Sequence, residues 1–333
     1  MALICYTWLK AMSKPEQPML SVVVPVYNEA AGLPAFHKAL LEAIHQAVED
    51  SYELIYCDDG STDDSSNVIQ KWHRDNSRIK LLRLTRNFGK EIAITAGIHE
   101  AKGRAVMTTD ADGQHPVDLI PEFVQCWKDG AKVVIGLRTS NQKEGLIKRF
   151  GSKIFYKFFN RAAGMKLVPG ATDFRLIDKS VQKEFMAMTE RNRISRGLID
   201  WLGYDREYIK FSANPRASGE AGYSFKKLVK LAVDSIVSLS ISPLYLAAYV
   251  GAFVLPVSIL LGLFMLVNAA AGDPLNLHAT GGAYVMVLLL FLVGILLVSQ
   301  GIIGLYLSHI HSETQNRPLY VIDTHKSVGL DEE

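Results

Sequence analysis

Two carboxylates one residue apart, Asp110 and Asp112, stand in the run Thr108-Thr109-Asp110-Ala111-Asp112-Gly113-Gln114-His115-Pro116. An apolar triplet, Ala105-Val106-Met107, leads into the run, and Pro116 with Val117 opens a helical pattern behind it. The pair therefore sits where a buried strand leaves its sheet. On an extended segment, residues i and i+2 point to the same side, which would turn both carboxylates towards one hard cation. Mg²⁺ or Mn²⁺ held by one or two carboxylates keeps positions open for substrate phosphates. The spacing thus suggests metal-assisted chemistry on a phosphate-linked substrate. Taken alone, the run reads first as a solvated Asp-rich turn; the rest of the chain shifts the balance.

The elements that must position these carboxylates alternate. A β-branched run over 20–26 reads as a buried strand and stops at Pro25-Val26-Tyr27-Asn28-Glu29. Leu33, Phe36, Leu40, Leu41, Ile44 and Val48 then recur at helical spacing, with Pro34 suited to a first turn. A strand over 52–57 ends at Asp58-Asp59-Gly60-Ser61, and a helix follows around Val68, Ile69 and Trp72. A strand over 79–84, a helix over 91–101, the strand before Asp110, a helix through Leu119 to Trp127 and a strand over 132–137 continue the series. Alternation with short links predicts a mainly parallel sheet covered on both faces. In such sheets, ligands bind outside the carboxyl ends of the strands. The polar clusters Asn28-Glu29, Asp58-Asp59, Asn87 and Asp110-Asp112 all fall there, which predicts one site built from several strand ends.

Beyond residue 140 the pattern loosens. The segment 145–163 reads as a basic amphipathic helix carrying Arg149 and Ser152, and Gly170-Ala171-Thr172-Asp173-Phe174-Arg175 as a Gly-rich break. A late strand is expected over 208–212, then a polar loop containing Arg216, then a basic helix with Lys226, Lys227 and Lys230. The composition changes next: 243–271 and 281–308 hold no charged residue. At 1.5 Å per residue each stretch reaches roughly 40 Å, enough to cross a hydrocarbon core with some tilt. Basic residues lie before the first stretch and after the second, and the link holds Asp273 but no Lys or Arg. The positive-inside rule then puts both ends in the cytosol and the link outside. The expected organisation is a leader and linker over 1–18, a catalytic domain over 19–222, a juxtamembrane amphipathic helix over 223–240, a two-span hairpin over 241–308 and a cytosolic tail over 309–333.

Composition narrows the classes. A formal net charge of +2 on 333 residues gives no global basic field for nucleic acid. Cys5, Cys57 and Cys126 show no metal spacing, and Cys57 and Cys126 read as reduced core residues of a cytosolic domain. No Gly-x-Gly-x-x-Gly follows the first strand, so a dinucleotide dehydrogenase is poorly supported.

Taken jointly, Pro25-Val26-Tyr27-Asn28-Glu29, Asp58-Asp59-Gly60-Ser61, Asn87-Phe88-Gly89-Lys90, Asp110-Ala111-Asp112-Gly113-Gln114-His115-Pro116 and Asp173-Phe174-Arg175-Leu176 resemble one family. They look like a membrane-anchored family-2 glycosyltransferase of the GT-A fold. Within it the chain is most similar to polyprenyl-phosphate glycosyltransferases such as bactoprenol glucosyltransferases and dolichyl-phosphate mannose synthases. The resemblance spans about 19–320. It implies an α/β domain with a Rossmann-like, mainly parallel sheet, followed by juxtamembrane and transmembrane helices, and oligomeric assembly. Its partners would be a nucleoside diphosphate sugar, a polyprenyl phosphate and the inner (plasma) membrane, which the chain would cross more than once with its catalytic domain and both termini cytosolic.

The resemblance also distributes roles. Pro25, Tyr27, Glu29, Asp59, Lys90 and Asp110 would hold the nucleotide sugar, carboxylates being good acceptors for a base N–H or ribose hydroxyls. Asp110, Asp112 and Gln114 would surround Mg²⁺ or Mn²⁺. Arg138, Arg149, Ser152 and Arg216 would receive the acceptor phosphate, arginine's planar fork donating two bonds at once. Asp173 would be a base or an orienting carboxylate; Asp112, Asp173 and Arg149 form the expected catalytic set. The implied reaction is inverting hexose transfer, with UDP-glucose the leading donor and mannose, N-acetylglucosamine and amino-arabinose donors open. Two rivals are a processive polysaccharide synthase, whose Gln-x-x-Arg-Trp motif is missing, and a non-catalytic nucleotide-binding membrane protein.

Overall fold

The computed structural model describes residues 17–139, 168, 170–191, 193–212, 260, 264, 267 and 281–330. These fall into two units. The first contains the described residues up to 212 together with 317–330; the second contains 260, 264, 267 and 281–316.

The first unit is built on a seven-stranded sheet of order β3-β2-β1-β4-β6-β5-β7. The strands are β1 (Leu20–Val26), β2 (Tyr52–Asp58), β3 (Ile79–Arg83), β4 (Ala105–Thr108), β5 (Val133–Arg138), β6 (Ala171–Asp178) and β7 (Arg206–Phe211). Helices α1 (Leu33–Val48), α2 (Ser65–Asp75), α3 (Lys90–Glu100), α4 (Ile120–Lys128), α5 (Lys179–Ala187) and α6 (Ser195–Trp201) cover it. β1 pairs in parallel with β2 and β4, β2 with β3, and β5 with β7. Every residue of β2 is buried, as expected of a parallel strand with helices on both faces.

One strand departs from the expected pattern. The Gly-rich break is instead β6, which runs antiparallel between β4 and β5. Thr172, Asp173 and Arg175 dilute its apolar signal, because its start is only half-buried and lies beside the site. Sequence periodicity sees a polar loop where the sheet supplies pairing on both sides.

Alternation sorts the core onto two faces. Val22, Val24, Leu40, Ile44, Tyr56 and Phe123 pack on one side; Val23, Ile55, Ala93, Ile98, Val181 and Phe185 pack on the other. Each buried Val, Leu, Ile or Phe among them contributes about 1.5–3 kcal/mol relative to exposure. α3 lies unusually close to the sheet at Gly97, where a Cβ would meet Val23 Cγ1 at 2.3 Å and Cys57 Sγ at 2.5 Å. Only glycine permits that approach, which seats the first turn of α3 beside the strand ends. Cys57 is buried and Cys126 half-buried, both as free thiols; burial pushes the Cys57 thiol far above its ordinary value.

In the second unit, α7 (Gly281–Thr314) is 34 residues long. Its side chains are described only at intervals, and of 241–280 only Leu260, Phe264 and Val267 are described. Among the described residues no helix is long and apolar enough to cross a membrane, so the two transmembrane helices expected over 241–308 are not supported. The juxtamembrane helix over 223–240 lies outside the described residues. Val285, Leu289, Leu296, Leu307 and Ile310 of α7 are exposed.

The chain then returns to the first unit. The tail, expected only as a cytosolic extension, lies along the outer edge of β3 through antiparallel bridges Leu84–Ile322 and Leu81–Val328. Tyr320, Ile322 and Leu330 pack against the core on the α3 face.

Candidate active site

Four loops at the carboxyl ends of β1, β2, β3 and β4 meet in one place. The turn after β1 is laced to the turn after β2 through Asn28, whose positive φ of 56° suits an asparagine. Its Oδ1 accepts the Thr62 N–H at 2.8 Å, and its own N–H donates to Ser61 Oγ at 3.0 Å. Glu29 is tied into the same pair of turns by its N–H, which donates to Ser65 Oγ. Pro25 is half-buried opposite Cys57 in the β1–β2 ladder, and Tyr27 is exposed.

Asp58 and Asp59 divide their duties. Asp58 is wholly buried and accepts from the Ser61 N–H at 2.8 Å, from Ser66 Oγ and from the Arg83 guanidinium at 3.2 Å. It holds the turn in shape. Asp59, expected to take a base or ribose, gives one oxygen to the Phe88 N–H at 2.7 Å and the other to the Gly89 N–H at 2.8 Å. Burial pushes its carboxyl above the ordinary value, against the two amide bonds that lower it. Each oxygen retains a further lone pair. The turn after β2 thereby carries the Asn87-Phe88-Gly89-Lys90 turn, and Gly60 at φ +72° leaves room for the Arg86 backbone, which a Cβ would meet at 2.6 Å.

The Asp110–Asp112 pair does not lie on an extended segment. β4 stops at Thr108, and residues 111 and 112 form a turn. The Gln114 N–H donates to Asp112 Oδ1 at 3.0 Å while Gly113 takes φ +73°, so a side-chain-closed turn, and not strand alternation, sets the course of the chain through the pair. The bond made here by Gln114 is its backbone N–H. His115, given no role in the sequence reading, is buried beneath the pair. Its Nδ1 accepts the Asp110 N–H at 3.1 Å, which leaves the proton on Nε2, 3.9 Å from Asp110 Oδ2. The ring stacks on Phe174 with centroids 5.1 Å apart. Burial pushes its pKa down, against the pull of Asp110 upward, so the imidazole is neutral. Its signal was its place inside the Asp-rich run.

Lys90 joins this pair to Asp173. Its Nζ lies 2.7 Å from Asp110 Oδ1 and 3.1 Å from Asp173 Oδ2, so it sits on the acidic centre rather than apart from it. Burial pushes Asp173 upward, but Lys90 and Arg196 outweigh it and hold the carboxyl below its ordinary value. Asp173 is therefore a weak base. Arg175 does not pair with it: Arg175 lies 3.0 Å from Asp200, and both side chains are 2% exposed. Glu91, which the sequence reading passed over, accepts the Ser195 N–H at 2.8 Å and binds α3 to α6. Burial and the nearby Asp173 push its carboxyl up.

Among the described residues no group of three His, Cys, Asp or Glu side chains forms a ready metal cage. Asp110 and Asp112 nevertheless suit Mg²⁺ or Mn²⁺ by chemistry: both are half-exposed, both offer hard carboxylate oxygens, and Lys90 already answers the charge of Asp110. Arg138 is exposed at the end of β5. Arg149, Ser152 and Arg216, the remaining acceptor-phosphate candidates, lie outside the described residues.

Comparison with known proteins identifies the family. The profile of glycosyl transferase family 2 matches residues 21–185, which run from β1 into α5. An uncharacterized glycosyltransferase of Synechocystis is 38% identical over 91% of this chain and 94% of its own. A prophage-derived bactoprenol glucosyl transferase of Shigella flexneri is 33% identical over 91% of this chain and 97% of its own. A mannosyltransferase from Pyrobaculum calidifontis, solved with GDP-Man and Mn²⁺, is 15% identical with a TM-score of 0.42 over 80% of this chain and 88% of its own; likeness at that level supports no residue assignment. The chain belongs to glycosyl transferase family 2. It is an α/β glycosyltransferase with a mainly parallel, mixed sheet.

Proposed function

We propose that this glycosyltransferase moves a hexose, with UDP-glucose the leading donor, from a nucleoside diphosphate sugar to polyprenyl phosphate, inverting the anomeric carbon at the cytosolic face of a membrane. The observation that carries the reading is end-to-end similarity to proteins named bactoprenol glucosyl transferase, at 33% identity over 97% of their length. The geometry supports it. The turns after β1 and β2 are laced together, with Tyr27 exposed, Glu29 half-buried and Asp59 buried behind them. Asp110 and Asp112 would hold Mg²⁺ or Mn²⁺, which when bound supplies positive charge to the departing diphosphate.

The residues themselves need do little proton chemistry. A phosphate monoester has its second pKa near 6, so an acceptor phosphate is mostly dianionic at neutral pH. Asp173, kept ionised by Lys90, orients the acceptor or a sugar hydroxyl rather than taking a proton. Arg138, with Arg149, Ser152 and Arg216, would receive the acceptor phosphate.

Membrane association rests on the uncharged stretches 243–271 and 281–308 and on the exposed apolar side chains of α7. A lipid phosphate resides at the bilayer surface, which makes such an attachment useful. The test uses purified full-length chain, Mg²⁺ or Mn²⁺, short-chain polyprenyl phosphate and a panel of nucleotide sugars. Nucleoside diphosphate release that depends on the acceptor and on one donor is the expected result. Release from no donor, with nucleotide still bound, would turn the assignment to a non-catalytic binding protein.

A further inference from the structure

The tail meets the nucleotide turns through one residue. Arg83, the last residue of β3, donates its backbone N–H to Ser327 Oγ at 3.0 Å, and its carbonyl accepts the Asp323 N–H at 2.8 Å. Its guanidinium reaches the other way: Nη2 donates to the Ser61 carbonyl at 2.9 Å, and Nη1 lies against Asp58 and Ser66. Two residues on, the Thr85 N–H donates to the Val321 carbonyl at 3.0 Å. Thr85 opens the turn whose Phe88 and Gly89 amides close on Asp59. The strap closes on itself between these points, since Ser327 Oγ donates to the Asp323 carbonyl at 2.8 Å.

We propose that residues 317–330 are a positioning strap for the donor site: they hold the main chain of Arg83 and Thr85 so that the Asp58–Ser61 and Arg86–Gly89 turns are set before nucleotide arrives. The physical basis is a division of labour at the sheet edge. β3 is the outermost strand, so without the strap its outer amides and carbonyls face water, and its final residues fray as edge ends do. Arg83 would then carry that motion directly into the buried Asp58 carboxylate. Because the strap follows α7 through only Gln315 and Asn316, the covalent chain runs from the apolar helix straight into the support of the donor turns. The inference rests on the reading that these turns face the nucleotide.

The test compares the full chain with a chain stopped at Arg317, each purified in the same detergent. Amide exchange at Phe88 and Gly89 reports the turns without any ligand; exchange at least tenfold faster in the shortened chain is expected. UDP and GDP binding reports the site, and a Kd raised at least tenfold is expected, restored to within threefold by a synthetic peptide of residues 317–333. In turnover, the donor KM should rise more than kcat falls. If the shortened chain does not fold, Ser327→Ala, which removes one acceptor of the Arg83 amide, is read by the same exchange measurement, with faster exchange at Phe88 and Gly89 expected. Unchanged exchange at Phe88 and Gly89 in a folded variant overturns the strap. A full chain that binds neither nucleotide, with exchange still faster when the strap is cut, overturns the donor assignment and leaves the strap standing as a support of the two turns.

Discussion

The ammonium of Lys90 lies 2.7 Å from one oxygen of Asp110 and 2.8 Å from the other. It therefore grips the carboxylate that the sequence marks out for a divalent cation, while its remaining reach goes to Asp173. Lysine and metal must share Asp110, and the sharing has a sign. Lys90→Met should tighten Mn²⁺ binding in the absence of nucleotide by about three- to tenfold, since a competing charge is removed from a half-exposed pair. Turnover should fall all the same, because Asp173 loses its partner. Titration of Mn²⁺ by electron paramagnetic resonance reads the first effect; weaker Mn²⁺ binding in the variant would mean that the lysine assists the cation instead.

His115 offers a second handle on the same carboxylate. Its Nδ1 accepts the Asp110 amide, so an asparagine, whose side-chain oxygen lies near that position, should replace it better than alanine. Losing a group that orients a metal ligand typically costs 10–100-fold in metal affinity. His115→Ala should fall in that range and His115→Asn well short of it, read as Mn²⁺ affinity at constant nucleotide. Equal losses in both variants would assign the residue to packing on Phe174 alone.

The buried pair Arg175–Asp200 ties β6 to α6, and Asp200 also lies 3.5 Å from Arg206 on β7. Removing one partner of such a pair leaves a buried charge uncompensated and costs about 3–5 kcal/mol. Arg175→Met should lower the thermal midpoint by many degrees, while Arg175→Met with Asp200→Leu recovers much of the loss. A single variant as stable as the parent would show that Arg206 suffices for Asp200.

Acid stability should report Asp178. This residue caps α5 by accepting the Ser180 N–H at 3.0 Å, and it also takes the Trp127 indole N–H at 2.9 Å. Burial works against it, but Ser180, Trp127 and Lys132 hold its pKa down to about 2. A carboxylate with a depressed folded pKa adds stability that is present above its unfolded value, about 3.9, and is lost as pH falls through about 2. Asp178→Ala should cost about 1 kcal/mol at neutral pH, and the gap to the parent should narrow between pH 4 and pH 2. A gap that stays constant over that window would assign the whole effect to shape.

Much of this protein can be read from residue order, because it is a matter of local period and local chemistry. β1, β2 and β3 announce themselves as apolar runs closed by Asn28-Glu29, Asp58-Asp59 and Asn87. Helix α1 shows its spacing and its early proline, and the convergence of polar clusters at strand ends follows from parallel alternation alone. The family follows from the same short runs. Partnership across the fold is another matter. Asp58 and Asp59 are adjacent and chemically alike, yet one is sealed under Arg83 and the other closes the Phe88–Gly89 turn; only their opposite directions at the end of β2 separate them. β6 is legible as a strand only once β4 and β5 stand on either side of it. Arg175 meets Asp200 because the fold brings α6 against β6. The tail shows no periodicity to betray that it completes the edge of β3. Pairings of this kind join residues more than 240 positions apart, Arg83 with Ser327 among them. A chain's order encodes which surfaces are apolar and which turns are tight; the closing of distant surfaces on one another decides which carboxylate is left to meet a substrate.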